Sequence, residues 1–412
     1  LVLLASVAGL LVACFFQNEF DVQTCWAWAE TSKGLRPWDM YFHRADCNYP
    51  PFILYNLTVL QAILNAVSMP SSSYLAVGLM KVPSLIAFAI TPLLVRIWLK
   101  PVAGAAASQT ACVFALCVPV WFDAAIWGQW EAFLCLAMLA AVIALWRESP
   151  AWSGAAVGWS MTIKPLAVMI VPALLVYCLR RFGIRAVGKF ALAATVIWGV
   201  IVCPFLVAGA GQGVRQTYTN TVDKYPFLSV CAFNNWMLVQ TCTADQRQWP
   251  DTFGRKDAQV VMGLVTAKQL GMAIFALFLA FVLFGLWRRP STNSFLFAAG
   301  LSAYAFYMLP TEMHERYILP ACTLFALIAV RGGGLVYLAV LIPATINQVL
   351  ALGYENSQGR RALTVDSYHT FQMLSLVFSA VNLALFLWVG WRYTRQTFGS
   401  REDSPDFVVG GS

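Results

Sequence analysis

The chain has 412 residues, of which 60% are hydrophobic, 14% aromatic and only 11% charged, with a mean hydropathy of +0.68. Soluble domains carry about 25% charged residues, so this composition excludes an ordinary soluble protein and predicts an all-α polytopic membrane protein. The apolar runs are solid, which excludes the alternating pattern of an outer-membrane β-barrel, and the net charge of +8 comes largely from basic residues at helix ends, not from a nucleic-acid footprint.

Short basic clusters mark the cytoplasmic side: Arg96 with Lys100, Arg147, Arg180 with Arg181, Arg288 with Arg289, Arg331, and Arg392 with Arg395. Residues 1–16 leave the cytoplasm. The run 50–64 would break the parity of crossings, so it reads as an interfacial helix inside a long outer loop, 17–78. Crossings at 79–99, 104–121 and 132–146 follow. Segment 151–179 begins and ends at basic clusters, so it goes out and returns, with its break at Lys164–Pro165. Next come 188–209, an outer loop 210–259, then 260–287, 294–309, 317–330 and 333–351, an outer loop 352–369, and 370–391. The expectation is a bundle of about twelve transmembrane helices, organised as a module 1–209, a second module 210–392 and a cytoplasmic tail 393–412. The start at Leu1 predicts a short preceding stretch, and the closing Gly-Gly-Ser reads as an appended tail.

Most acids and every unusual polar cluster fall on the outer side of this topology. Four of the eleven cysteines lie there too. An oxidising compartment makes Cys25–Cys47 and Cys231–Cys242 the simplest disulfide candidates, although spacing alone does not fix connectivity.

The first polar cluster, NEFDVQTCWAWAE (18–30), puts Asp21 just after the first span. Asp21 reads either as a solvated acid among interfacial tryptophans or as a general base beside a sugar-binding aromatic surface. In HRADCNYPPFILY (43–55), two prolines fix a loop-to-helix junction, and Asp46, Asn48 and Tyr49 are candidates to line a polar pocket. In WFDAAIWGQWEAF (121–133), Gly128 allows a tight turn. An aromatic belt accounts for Trp121, Trp127 and Trp130, but not for Gln129 and Glu131 at the start of an apolar span. In MTIKPLAVM (161–169), Lys164 at a helix break faces a cavity or an anion, or else snorkels to the surface.

The last cluster, PTEMHERYILP (310–320), begins like a zinc-binding HExxH, but residue 318 is Ile and the chain has only three histidines. Zinc is therefore rejected. Arg316 at the start of a span suits a bidentate contact to phosphate or carboxylate. GAGQG (209–213) lies on the outer side and is no P-loop, Asn56-Leu-Thr58 is only a formal glycosylation sequon, and AFNNWML (232–238) is a candidate rim.

Taken in order, Asp21, NYPPF, WGQWEAF, TIKP, FNNW and MHERY resemble the GT-C superfamily of integral membrane glycosyltransferases. The later motifs look like its bacterial mannosyl- and glucosyltransferase branch, with similarity also to the eukaryotic dolichol-phosphate-sugar enzymes. One departure is Asn48, where an acid is expected before Tyr-Pro-Pro; Asp46 is the nearest substitute.

The resemblance implies an inverting transfer of a hexose, mannose before glucose, from a polyprenyl-phosphate-sugar to a hydroxyl of a glycolipid or glycan. It implies a site on the outer face of the inner or plasma membrane and Asp21 as the base. Arg316, His314 and Lys164 are then the cations for the donor phosphate. Glu131, Gln129, Asp46, Tyr49, Trp130 and Glu315 are the sugar or acceptor contacts, Glu315 alternatively orienting Arg316. The resemblance requires no metal, although some relatives use a divalent ion. Membrane lipids are the other expected partners, with no nucleic acid and a monomeric chain. Two rival readings are a transporter or flippase of a sugar or lipid-linked substrate, and a polysaccharide polymerase or ligase.

Overall fold

Helices dominate because apolar runs in this chain are interrupted mainly by caps, prolines and glycines. The computed structural model describes residues 2–32, 34–220, 224–243, 256–258, 260–261, 263–359 and 364–399. The middle of the expected outer loop 210–259 and the closing Gly-Gly-Ser lie outside the described residues. The chain divides into two units, residues 1–168 with 182–222, and residues 169–181 with 223–412.

The first unit opens with α1 (Val2–Ala13), α2 (Glu19–Ala29), α3 (Asp39–His43), α4 (Pro51–Ala66) and α5 (Tyr74–Ala103). It continues through α6 (Ala106–Ala115), α7 (Val118–Phe122) and a π-helical turn, Asp123–Trp127, into α8 (Glu131–Trp146) and α9 (Pro150–Ile163). It closes with α11 (Ile184–Val207) and α12 (Gly211–Thr219). The apolar run read as an interfacial segment is α4. It starts with Pro51 in its first turn and buries Ile53, Leu54, Leu57, Leu60 and Leu64, so its apolar face packs on protein. Helices α9 and α11 approach closely through Gly154 and Gly158. A Cβ there would lie 2.0 Å from the Phe190 carbonyl oxygen and 2.3 Å from that of Ala194, so only glycine permits the contact.

The second unit contains α10 (Val171–Phe182), α13 (Asn235–Thr243), α14 (Ala267–Arg288), α15 (Thr292–Met308), α16 (Leu319–Ile328), α17 (Gly334–Gly359) and α18 (Val365–Phe398). Two short strand pairs join them. β1 (Ser229–Val230) runs parallel to β4 (Met313–His314), and β2 (Val260–Val261) is antiparallel to β3 (Val265–Thr266).

The expected count of about twelve crossings is overturned. Among the described residues, five helical stretches are long and apolar enough to cross a membrane: Tyr74–Ala103, Ile184–Val207, Ala267–Arg288, Glu315–Ser357 and Ser367–Phe398. A sixth is reached if Ala106–Ala115 and Val118–Trp127, bent by 45°, form one span. The physical reason is length. Helices α8 and α15 have 16 and 17 residues, each below the length of a full span. Helices α1, α9 and α10 have 12, 14 and 12 residues, short of the roughly 20 a crossing needs. The runs 317–330 and 333–351, expected as two crossings, lie in the single 43-residue stretch Glu315–Ser357, kinked at Arg331–Gly332. The protein is membrane-embedded, with fewer long spans than its apolar content suggests.

Candidate active site

In the first unit the polar residues singled out from the sequence form two linked groups. Asp21 sits in the first turn of α2, where the Asn18 side chain caps the helix by accepting the Asp21 backbone N–H at 3.0 Å. The indole Nε1 of Trp127 donates to Asp21 Oδ2 at 2.9 Å, and the Trp127 carbonyl accepts from the Asn18 N–H at 3.1 Å. Gly128 follows in the left-handed region at φ +93°, with space for a Cβ blocked by Val22. The tight turn expected from the sequence is therefore present, and it directs Trp127 onto Asp21.

The second group begins with Asp46, which takes a bidentate contact from Arg44 at 2.9 Å to each oxygen and a hydrogen bond from Trp28 Nε1 at 3.0 Å. The Arg44 guanidinium holds the Asp46 carboxyl down at about 2. Trp28 meets the Tyr49 ring edge-on at 5.3 Å. The Tyr49 hydroxyl donates to Gln129 Oε1, and Lys164 Nζ lies 5.2 Å from the Tyr49 ring centroid. Lys164 pairs with Glu131 and approaches Gln129 Oε1 at 3.5 Å.

Lys164 is extended at the end of α9, before Pro165, so the helix break expected at TIKP is present and aims the ammonium inward. Glu131, fully buried, starts α8, where the positive end of the helix dipole favours an acid. The structure thus joins Asp46, Tyr49, Gln129, Glu131 and Lys164. Trp130 is also fully buried, and its ring stacks on Phe133 at 6.3 Å.

Sequence reasoning missed Lys81, which lies inside the apolar run 79–99. It is fully buried and donates to the carbonyls of Ala13 at 2.7 Å, Ala125 at 3.2 Å, and Phe16. One ammonium therefore ties the end of α1 to the π-helical turn that carries Trp127. A lysine within an apolar run is expensive in a membrane and marks a role by default.

In the second unit, MHERY forms β4 and the 3-10 turn Glu315–Ile318. Arg316 Nη1 donates to Glu315 Oε1 at 2.8 Å, with Glu315 fully buried and Arg316 about one-tenth exposed. The His314 ring packs edge-on against Tyr225 at 4.9 Å and Tyr317 at 5.2 Å.

The neighbouring FNNW segment holds this strand in place. Asn234 Oδ1 accepts from the N–H groups of Trp236 and Met237. Asn347 accepts from the Phe233 N–H at 3.0 Å and donates to the Cys231 carbonyl at 2.7 Å. Asn382 donates to the Phe233 carbonyl at 2.8 Å. Cys231 and Glu312 both adopt positive φ, +57° and +64°, a strained region for such residues. They flank the β1–β4 pair and are restrained by Asn347 and by a Lys268–Glu312 ion pair at 2.5 Å. Asn347 and Asn382 gave no sequence signal because each lies within an otherwise apolar helix, outside the motifs.

Neither candidate disulfide is formed; Cys25, Cys47, Cys231 and Cys242 are thiols. Cys25 and Cys47 are both buried. Among the described residues no three His, Cys, Asp or Glu side chains converge as metal ligands.

A family model described as Glycosyltransferase family 87 matches residues 48–311. The chain belongs to glycosyltransferase family 87. This is a family of the GT-C superfamily, and its membership makes the protein a membrane-embedded glycosyltransferase. No curated protein matches the chain. The family 87 match takes in Tyr49, Gln129, Glu131 and Lys164, and it leaves Asp21, Asp46 and His314–Arg316 outside its ends.

Proposed function

We propose that this family 87 member moves a hexose, mannose before glucose, from a polyprenyl-phosphate-sugar to a hydroxyl of a glycolipid or glycan. Transfer takes place on the outer face of the inner or plasma membrane and inverts the anomeric carbon. The observation that carries the reading is the Asp21–Trp127 hydrogen bond. It orients a partly exposed carboxylate at the start of a capped helix, as a general base requires.

In this reading Asp21 takes the acceptor hydroxyl proton as the acceptor oxygen bonds to the anomeric carbon. The bond from that carbon to the phosphate oxygen breaks, and its electron pair leaves with the lipid phosphate. Arg316 and His314 stabilise that developing charge, with Glu315 holding the guanidinium. Lys164 is assigned to the same phosphate, and its Glu131 and Gln129 partners set its position. Tyr49, Asp46 and Trp130 complete the sugar and acceptor contacts.

The test gives the purified protein radiolabelled polyprenyl-phosphate-mannose and polyprenyl-phosphate-glucose with a membrane lipid extract. A labelled product from either donor that requires Asp21 supports the assignment. Transfer from a nucleotide sugar, with neither lipid donor used, overturns it.

A further inference from the structure

A second polar–apolar site lies in the first unit, apart from the residues assigned above. A cleft of about 650 Å³ opens where α5, α8, α9 and α11 meet, a volume in the ordinary range for a ligand site of roughly 300–1,000 Å³. Its walls are Trp98, Trp152 and Trp159 with the small residues Ala140, Ala155 and Ala156. The residues Trp152, Ala155, Ala156 and Trp159 recur at helical spacing, so one face of α9 forms a floor of alanines between two indoles.

Two helices beside the mouth carry exposed apolar stripes of the kind that lipid covers. α5 exposes Ile90, Leu93 and Ile97, and α11 exposes Leu192, Val196 and Val200, in stripes at helical spacing. Whatever fills the cleft therefore comes from the bilayer and is apolar along most of its length.

One end of the cleft is charged. Arg147, exposed and at the end of α8, lines it together with Ser149. Its guanidinium has no ion pair or hydrogen bond among the described residues. The neighbouring Glu148 is exposed but does not line the cleft. Tryptophan concentrates at membrane interfaces, and a basic pocket between membrane helices binds lipid phosphate head groups.

We infer that this cleft binds an anionic phospholipid, with its phosphate on Arg147 and its acyl chain along the Trp152–Trp159 face of α9. Arginine suits the role because its planar fork contacts a phosphate bidentately. The lipid belongs to the leaflet that meets the α8–α9 turn. This binding is separate from sugar transfer and does not depend on the donor assignment.

Native mass spectrometry of the full chain with phosphatidylglycerol or phosphatidylcholine tests it, alongside thermal unfolding in vesicles of each lipid. The wild type should retain phosphatidylglycerol at least about tenfold better than phosphatidylcholine, a preference of about 1.4 kcal/mol. Arg147→Gln should abolish the preference and Arg147→Glu reverse it. Ala156→Trp, which fills the cleft, should reduce retention of both lipids. Arg147 is exposed, so an unchanged unfolding profile in phosphatidylcholine checks the fold of its variants. Equal retention of the two lipids by the wild type, an unchanged preference in Arg147→Gln, or displacement of the lipid by inorganic phosphate alone would each overturn the proposal.

Discussion

Trp127 and Asp21 are 106 residues apart in the chain, yet the indole N–H reaches the carboxylate at 2.9 Å. Backbone contacts on both sides support the pair. Asn18 caps α2 and also donates its own N–H to the Trp127 carbonyl. Lys81 fixes Ala125, two residues before Trp127.

Removing the carboxylate charge and removing its orienting donor should separate in kinetics. A positioned base contributes about 10²–10⁴-fold, so Asp21→Asn should lower kcat by that order while leaving donor binding intact. Trp127→Phe keeps an aromatic side chain, although a smaller one, and removes the indole N–H with its one hydrogen bond to a charged group, a contribution of about 1.5–3 kcal/mol. It should lower kcat by about 10- to 100-fold with little change in KM. Near-wild-type turnover in Asp21→Asn would move the base elsewhere.

Lys164 and Glu131 are a buried ion pair, so single and double variants should behave differently. Lys164→Met strands a fully buried carboxylate and should cost about 3–5 kcal/mol in thermal or denaturant unfolding. Adding Glu131→Leu should restore most of that stability. Activity should stay low in the double variant, because the cation is still missing. Recovery of activity together with stability would make the pair purely structural.

For Arg316, charge and shape can be tested apart. Arg316→Lys keeps a cation beside Glu315 but loses the fork. It should reduce kcat/KM by about 10²-fold, with an unfolding midpoint close to wild type. A fully active Arg316→Lys would show that the guanidinium is not what the phosphate needs.

Asp46 sets a small acid limb of stability. Its carboxyl, ordinarily at 3.8, is lowered to about 2, first by the Arg44 hydrogen bonds. The stabilisation is complete above 3.8 and is lost as pH falls through about 2. The Asp46 side chain is 51% exposed, so solvent screening holds the effect below about 1 kcal/mol. Unfolding followed from neutral to acid pH should show Asp46→Asn flattening only that window. A change confined to neutral pH would assign the dependence to another group.

Local chemistry was readable where it depends on neighbours in the chain. Composition established an α-helical membrane protein. Pro165 after Lys164 marked the helix break, Gly128 marked the turn, and the order of short motifs pointed to the GT-C superfamily. Each of these rests on backbone sterics or on residue type.

Only the tertiary structure decided the rest. Hydropathy finds apolar runs without fixing helix ends or bends, so α8 and α15, of 16 and 17 residues, read as crossings although each falls short of a full span. Likewise, Lys164 was recognisable as a cation that needed a partner, but which partner depended on how α8 and α9 pack. Trp127, Lys81, Asn347 and Asn382 act through contacts spanning 44 to 149 residues. Hydropathy and spacing report what a residue is and what stands beside it in the chain. Whom it meets across such distances is set by packing.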